Sequence, residues 1–256
     1  MYYYVSWCVT SIVCAINLRY CITNIIQVHH ILCIIIAMGV TLIFVEERNV
    51  VLREQSNNMY SLSSYFISRQ LVDLPSDCIA ILLFTLFIYY LIDYTISSII
   101  LLQFYSIILL CVITGKGLGI IIGSIVGTRA NGMITAPLSI APFILFTNYA
   151  LPDTVMPSYF ITIRYMSPFY WAFNALSYLV LKPMIFYCTD SELIQMPSVI
   201  NAVPKYYCYM TTGNIVMNRF NISNDSNTYI HAIGALILIS LCTRLIAFIL
   251  LKYYMK

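Results

Sequence analysis

Long apolar stretches alternate with polar segments along the chain, and most of these stretches have the length of a membrane-spanning helix. An α-helix needs about 20 apolar residues to cross the hydrocarbon core of a bilayer. The pattern predicts six spans, over residues 2–18, 25–45, 78–96, 99–126, 133–150 and 232–251. Two polar segments, 46–77 and 152–231, separate them. The chain is therefore predicted to be an all-α, polytopic integral membrane protein with a large loop before its last helix.

The first stretch, 2–18, has two interpretations. A signal peptide of this length would carry a basic n-region and a small-residue cleavage site before the next apolar stretch, and neither is found. We interpret it as a short or truncated first span, so that the whole chain, 1–256, forms a single membrane domain.

Composition supports lipid as the solvent of this chain. Hydrophobic residues make up 61% of the sequence and charged residues 9%, whereas charged residues make up about 25% of a soluble globular domain. A chain this apolar cannot cover itself with polar surface. The net charge of +3 includes no basic stripe, which excludes a nucleic-acid partner.

The basic residues predict the orientation. With six spans and the N-terminus inside, the cytoplasmic side receives Arg48, Arg53, Arg69, Arg129, Lys252 and Lys256. The short outer turns receive only Arg19. Because cytoplasmic loops carry an excess of Lys and Arg, we expect 46–77 inside and 152–231 outside.

Two features of segment 152–231 agree with an outer location. Glycosylation sequons begin at Asn221 and Asn224, just before the last span. Cys188 and Cys208 are the only cysteines in the segment. An oxidising compartment would allow a disulfide between them, and two unpaired thiols are the alternative.

The cytoplasmic segment 46–77 combines charge with an apolar helical face. The 3.6-residue period places four apolar or aromatic residues on one face: Leu62, Tyr65, Phe66 and Val72. Pro75 is expected to redirect the chain into the third span. The segment is predicted to be a charged, amphipathic helical elbow at the membrane surface, and an interfacial helix that only anchors two spans is the plainer interpretation.

The fourth predicted span carries four glycines at intervals of four residues: Gly115, Gly119, Gly123 and Gly127. Glycines at this spacing line one helix face and allow another backbone to approach closely. Lys116 lies beside them. A cation in the bilayer is costly, so Lys116 is expected either to snorkel toward the cytoplasm or to face a polar cavity.

Catalytic and metal-binding patterns are absent from the sequence. His29 and His30 point about 100° apart on a helix, which suits an interfacial location better than one shared metal ion. The spans contain no Ser/His/Asp set and no carboxylate pair, and the chain has no G-x-x-x-x-G-K-[ST] phosphate loop. Hydrolysis of ATP on this chain is not expected.

Several motifs occur in the order found in White-type (G-subfamily) ABC half-transporters, which the chain resembles over about residues 25–256. The segment between the second and third spans contains Glu46-Glu47-Arg48, Arg53-Glu54-Gln55, Ser63-Ser64-Tyr65-Phe66 and Asp73-Leu74-Pro75. Downstream lie Gly117–Ser124, Pro142–Phe146 and Tyr165–Ala172. One departure is Phe146-Thr147-Asn148-Tyr149, where the family has a small residue followed by a Gly-aromatic pair.

The resemblance implies an ABC-2 type transmembrane domain that pairs with a second half-transporter, as a homo- or heterodimer, around an apolar cavity. ATP and Mg²⁺ would be bound by a partner nucleotide-binding domain, and the substrates would be lipids, sterols or amphipathic molecules. The implied coupling residues are Glu46, Glu47, Arg48, Arg53, Glu54, Tyr65 and Phe66. The implied cavity residues are His30, Ile31, Ile34, Met38, Ile134, Ala141 and Ile144.

Two other functions are compatible with this number of membrane spans. A receptor or scaffold would use the spans without transport, and the order of elbow, glycine row and large final loop argues against it. An ATP-independent carrier often shows internal repeats with Gly- or Pro-broken segments, and this sequence shows none.

Overall fold

A computed structural model describes most of the chain between residues 18 and 254. The described residues are 18–57, 59–92, 97–147, 157–183, 194–195, 206–207, 212–219, 222 and 227–254. For 18–32, 90–92, 158–159, the two strands, and residues 216, 219 and 254, only the backbone is described. The predicted first span, 2–18, lies outside the described residues except for Leu18.

The described chain is almost entirely helical. Its helices are α1 (Leu18–Ser56), α2 (Leu62–Ile92), α3 (Ser98–Ile125), α4 (Arg129–Leu145), α5 (Ser158–Tyr165), α6 (Pro168–Leu181), α7 (Gly213–Arg219) and α8 (Asn227–Tyr254). Two-residue strands β1 (Ile194–Gln195) and β2 (Tyr206–Tyr207) pair antiparallel. Three of the helices are long and apolar enough to cross a membrane, over Leu62–Tyr89, Ser98–Ile125 and Asn227–Tyr253.

Helix α3 lies at the centre of the bundle. It packs most extensively against α1 and α8, and it also contacts α6. Its buried residues include Ile107, Ile108, Cys111 and Val112, none of which is more than 1% exposed. These side chains join one apolar core with buried residues of α1 and α6. Helix α3 therefore connects α1, α6 and α8.

A separate apolar cluster marks one end of the bundle. It contains Phe44 of α1, Leu62 of α2, Ile120 of α3, and Ala247 and Leu251 of α8. Helices α1, α3 and α8 therefore approach their C-termini, and α2 begins, at the same end. We call this the elbow end, since the break at 57–61 between α1 and α2 lies there.

The predicted elbow segment, 46–77, is shared between two long helices. Helix α1 does not stop at Val45 but continues through Glu46 to Ser56. The reason is that 46–56 contains no Gly or Pro and is rich in good helix formers. The elbow consists of the end of α1, the break at 57–61 and the first turns of α2.

Pro75 lies inside α2 and not at its end. A long apolar helix tolerates the one backbone hydrogen bond that proline removes. Val72 also departs from the predicted face: it is 72% exposed, whereas Leu62 is 8% exposed. The ten residues between them place Val72 about 80° around the helix from Leu62.

The predicted loop 152–231 contains more regular structure than its polarity suggests. The structure has two helices there, α5 and α6. In α6 every residue is buried except Tyr170 and Trp171. It is buried because it packs against α8, α3 and α7 instead of lying along an interface.

Candidate functional site

Three consecutive residues at the elbow end each bind a different helix. Glu46 Oε1 accepts a hydrogen bond from Arg129, the first residue of α4, at 2.5 Å. Glu47 forms an ion pair with Arg69 of α2. Arg48 turns to the end of α3. The Glu46-Glu47-Arg48 run therefore joins α1 to α2, α3 and α4 at one level.

Arg48 caps the C-terminus of α3. Its Nη1 donates to the carbonyl oxygen of Ser124 at 2.7 Å, and the carbonyl of Val126 lies 3.4 Å away. The last four carbonyls of a helix lack partners within the helix, and the helix dipole makes that end negative. A part-buried guanidinium from α1 satisfies both needs, so α1 and α3 are joined by charge as well as by packing.

The tip of the elbow forms a cleft of about 540 Å³ between the end of α1 and the start of α2. Its lining includes Val50, Glu54, Tyr60 and Tyr65. The rings of Tyr60 and Tyr65 stack with centroids 6.0 Å apart. The Tyr60 hydroxyl donates to Glu54 Oε2 at 2.6 Å, and the Tyr65 hydroxyl to Glu47 Oε2 at 3.2 Å.

The Tyr60 hydroxyl stays a hydrogen-bond donor at any physiological pH. Burial, and then the Glu54 carboxylate that accepts its proton, raise the pKa of Tyr60 to about 12. The Glu54 carboxylate is thus held by a neutral group, with no cationic partner among the described residues. It offers a negative charge to a partner at the mouth of the cleft.

The two other predicted coupling residues lie on opposite sides of the elbow. Phe66 faces inward and packs on Phe248 of α8, with ring centroids 5.5 Å apart. Arg53 is exposed in the last turn of α1. The elbow therefore has an anchored inner face and a charged outer face.

Lys116 of α3 pairs with two carboxylates of α2, which the sequence analysis did not anticipate. Its Nζ lies 2.6 Å from Asp77 Oδ1 and 3.8 Å from Asp73 Oδ2. The Lys116 and Asp77 side chains are only 13% and 14% exposed. We call Asp73, Asp77 and Lys116 the ion cluster.

The sequence prediction of no carboxylate pair within the spans is wrong. Asp73 and Asp77 lie in the apolar stretch Leu62–Tyr89 of α2. The sequence places both in the cytoplasmic elbow, because charged residues continue to residue 77. The i, i+4 spacing of the two aspartates, with Arg69 one turn earlier, was the available signal for a single charged face.

Three of the four glycines in the predicted row face α1. A Cβ atom on Gly115 would lie 3.3 Å from the Cys33 carbonyl oxygen. On Gly119 it would lie 2.6 Å from the Ala37 oxygen, and on Gly123 it would lie 3.1 Å from a ring carbon of Phe44. The partner helix belongs to the same chain.

Gly127 does not share this contact with α1. It follows the end of α3, and a Cβ atom there would meet nothing within 4 Å. Gly117, outside the row, makes a close contact instead. Its Cβ would lie 2.7 Å from Thr243 Oγ1 of α8. Gly117 is not part of the row, because it lies about 160–200° around the helix from Gly115 and Gly119.

The predicted cavity residues are divided between core and surface. Ile34, Met38 and Ile144 are partly buried against the main core. Ile134 of α4 is 70% exposed, and Ala141 is exposed as well. His30 and Ile31 lie in α1, where the structure describes only the backbone.

The remaining predicted residues cannot be placed in the bundle. Cys188, Cys208, Asn221 and Asn224 lie outside the described residues. Among the residues that are described, no group of three or more His, Cys, Asp or Glu side chains is placed to hold a metal ion.

Comparison with known proteins identifies the architecture. The family model described as "ABC-2 type transporter" matches residues 20–181, from the start of α1 to the end of α6. "ABC transporter G family member 5" of Dictyostelium discoideum is 27% identical over 190 residues, which cover 71% of this chain and 12% of that protein.

Two plant proteins are similar over a shorter region. "ABC transporter G family member 22" of Arabidopsis thaliana is 31% identical over 133 residues, which cover 52% of this chain and 17% of that protein. "ABC transporter G family member 4" of the same plant is 27% identical over 134 residues, or 52% of this chain and 23% of the relative. The chain thus spans less than a quarter of the length of each of these relatives.

The family model matches more than half of the chain, and three of its described helices are apolar enough to cross a membrane. This multi-pass integral membrane protein therefore belongs to the ABC-2 type transporter family.

Proposed function

We propose that this chain is the membrane-spanning subunit of an ATP-driven transporter that moves lipids, sterols or amphipathic small molecules by alternating access. The Glu46-Glu47-Arg48 junction is the observation that carries this proposal. A force applied at the elbow tip reaches α2, α3 and α4 through side chains of three consecutive residues in α1.

The elbow tip is the proposed docking surface for a nucleotide-binding domain. Arg53 and Glu54 present one positive and one negative charge on its outer side, next to a cleft with stacked tyrosine rings. Arginine or lysine of a partner would be attracted by Glu54 and could stack on the rings. ATP and Mg²⁺ would bind to that partner domain.

Close contacts join the elbow to the helices that it is proposed to move. Arg48 and the glycine contacts fix α1 to α3, and Glu46 fixes the start of α4. Tilting of α1 by a partner domain would therefore move α3 and α4 with it. Packed interfaces of this kind switch between discrete arrangements and do not deform continuously.

Helix α4 is the proposed wall of the substrate path. Its exposed side chains include Met133, Ile134, Leu138 and Leu145, all at least 55% exposed. A second half-transporter facing this surface would enclose an apolar space of the kind that takes lipids and sterols. The described surface of α4 beyond its first turn carries no charge, which disfavours an ion or sugar as the substrate.

The elbow proposal predicts a loss of coupling when its outer charges are removed. The chain is assembled in nanodiscs with the nucleotide-binding domain of a G-family ABC transporter, and ATP hydrolysis is measured with and without phospholipid substrate. We expect Arg53→Ala/Glu54→Gln to abolish substrate stimulation of hydrolysis while the protein accumulates normally, because the inner face of the elbow is unchanged.

Lys252→Ala is the matched control, since Lys252 is an exposed cation at the elbow end but lies on α8. It should retain full stimulation. Normal stimulation in the Arg53/Glu54 double variant would refute the docking surface.

A further inference from the structure

The exposed face of α4 contains a backbone carbonyl that the helix itself does not satisfy. In an α-helix the carbonyl oxygen of each residue accepts a hydrogen bond from the N–H four residues later. The residue four positions after Leu138 is Pro142, which has no N–H. Leu138 is 71% exposed, and Pro142 is exposed as well. The Leu138 carbonyl therefore opens onto the exposed side of α4 without its usual donor.

Near the end of α4, a side chain replaces a missing donor of this kind. The Thr147 N–H, which would reach the Phe143 carbonyl in a regular helix, donates to Ile144 at 3.1 Å. Ser167 Oγ, just before α6, donates to the Phe143 carbonyl at 2.7 Å in its place. Among the described residues, no side chain does the same for the Leu138 carbonyl. This acceptor is therefore available to a group from outside the described chain.

A hydroxyl lies beside this carbonyl on the same face of α4. Ser139 is exposed and lies three residues before Pro142, so the two are neighbours on the helix surface. Its hydroxyl makes no hydrogen bond within the described part of the chain. The hydroxyl can donate, whereas the Leu138 carbonyl can only accept. We call the Ser139 hydroxyl and the Leu138 carbonyl the α4 polar pair.

The depth of the α4 polar pair makes an unfilled state costly. Leu138 lies nine residues after Arg129, where α4 begins, which is about 14 Å along the helix axis. The hydrocarbon core of a bilayer is about 30 Å thick. Acyl chains offer neither a donor nor an acceptor, so polar groups that face them at this depth stay unsatisfied. A ligand with a suitable polar group would remove that cost.

The side chains around the pair are suited to a flat apolar body. Leu138, Ala141 and Leu145 follow one another at helical spacing along the same stripe. Ala141 and Pro142 are exposed but short, whereas Leu138 and Leu145 are longer and are 71% and 55% exposed. The difference in length leaves a shallow apolar recess next to the polar pair.

A hydroxyl group is the chemical complement of the pair, because it donates to a carbonyl and accepts from a second hydroxyl at the same time. A sterol combines one hydroxyl with a rigid, flat ring system that fits the recess. We propose that the α4 polar pair is a binding subsite for the hydroxyl group of a sterol. This inference rests on the proposed function in taking the exposed face of α4 as a wall of the substrate path.

Photolabelling of the chain alone in nanodiscs tests the subsite without ATP or a partner domain. The probe is a cholesterol analogue with a diazirine in its side chain, and mass spectrometry locates the attached label. We expect label on peptides of α4, and we expect excess cholesterol to displace the probe. Cholesterol methyl ether keeps the ring system but has lost the hydroxyl proton, so it should compete about 3- to 10-fold less well.

Three single variants separate the polar pair from its surroundings. Ser139→Ala removes the donor, and Pro142→Ala supplies an N–H that occupies the Leu138 carbonyl. Each should raise the probe concentration for half-maximal labelling by about 3- to 10-fold. Pro137→Ala is the matched control, because it supplies the same N–H to the Met133 carbonyl at a half-buried position. All three changes favour the helix, so all three variants should accumulate.

Labelling of Ser139→Ala and Pro142→Ala at the parent's probe concentration would overturn the subsite. Equal competition by cholesterol and its methyl ether would overturn it too, since apolar contact alone would then explain the labelling. Absence of label from α4 in the parent chain would have the same consequence, because another part of the assembly would then cover this face. A chain that binds the probe as expected but shows no ATP-driven transport would contradict the proposed function and leave the subsite standing.

Discussion

At the residue scale, the absence of a side chain matters as much as its presence. Gly119 lets the α3 backbone reach the Ala37 carbonyl, where a Cβ atom would sit at only 2.6 Å. A backbone oxygen cannot move aside as a flexible side chain can. In lipid the hydrophobic drive between helices is weak, so van der Waals contact at such sites carries the association. Gly39 of α1, by contrast, has nothing within 4 Å of its Cβ position.

Alanine substitution at these two glycines should change stability in opposite directions. Gly119→Ala forces α1 and α3 apart and should destabilise the fold by about 1–3 kcal/mol. Gly39→Ala adds the same atom in open space and should stabilise α1 by up to about 1 kcal/mol through helix propensity. Thermal unfolding in detergent measures both, and destabilisation of the same size at both positions would contradict the assigned contact.

At the element scale, α1 is the longest helix of the described chain and its last turns reach beyond the apolar core. The extension after Val45 carries every residue that binds α2, α3 and α4 by charge. Arg48 satisfies carbonyls at the end of α3. The final turn of α3 therefore depends on α1.

Removal of that cap should loosen the end of α3. Arg48→Met leaves the Ser124 carbonyl without its charged donor and should cost about 1–2 kcal/mol. Hydrogen–deuterium exchange should rise at residues 122–126, since local opening sets the rate there. Arg53→Met removes the same charge from the same helix at an exposed site and should leave exchange at 122–126 unchanged. Equal exchange in both variants would rule out the capping role.

Periodicity in the sequence predicted the helical, membrane-spanning fold, because apolar runs of about 20 residues have few other solutions. It identified the glycine row but not its partner, since spacing along one helix contains no information about the facing helix. It placed Asp73 and Asp77 in a polar segment, because their compensation by Lys116 arises only when α2 and α3 meet. The burial of α6 could not be predicted from its own sequence either, because it results from contacts with α8 and α3.

At the scale of the whole molecule, the described chain consists of a tightly packed group of helices, a peripheral helix and a charged end. Helices α1, α3 and α8 pack closely through glycine contacts. Helix α2 lies outside this group, and the elbow joins it to α1. Basic side chains such as Arg48, Arg53 and Lys252 gather at the elbow end, as expected of a cytoplasmic face. This arrangement is suited to receiving force at one end.

ATP-dependent movement of lipid is the most direct test of the proposed function. The chain and a G-family nucleotide-binding domain are reconstituted in liposomes, and the transfer of a fluorescent phospholipid between leaflets is followed after ATP is added. We predict transfer that requires ATP and is lost in Arg53→Ala/Glu54→Gln. Transfer at the same rate without ATP would instead indicate a carrier, and stimulated ATP hydrolysis with no transfer of phospholipids or sterols would contradict a lipid transporter.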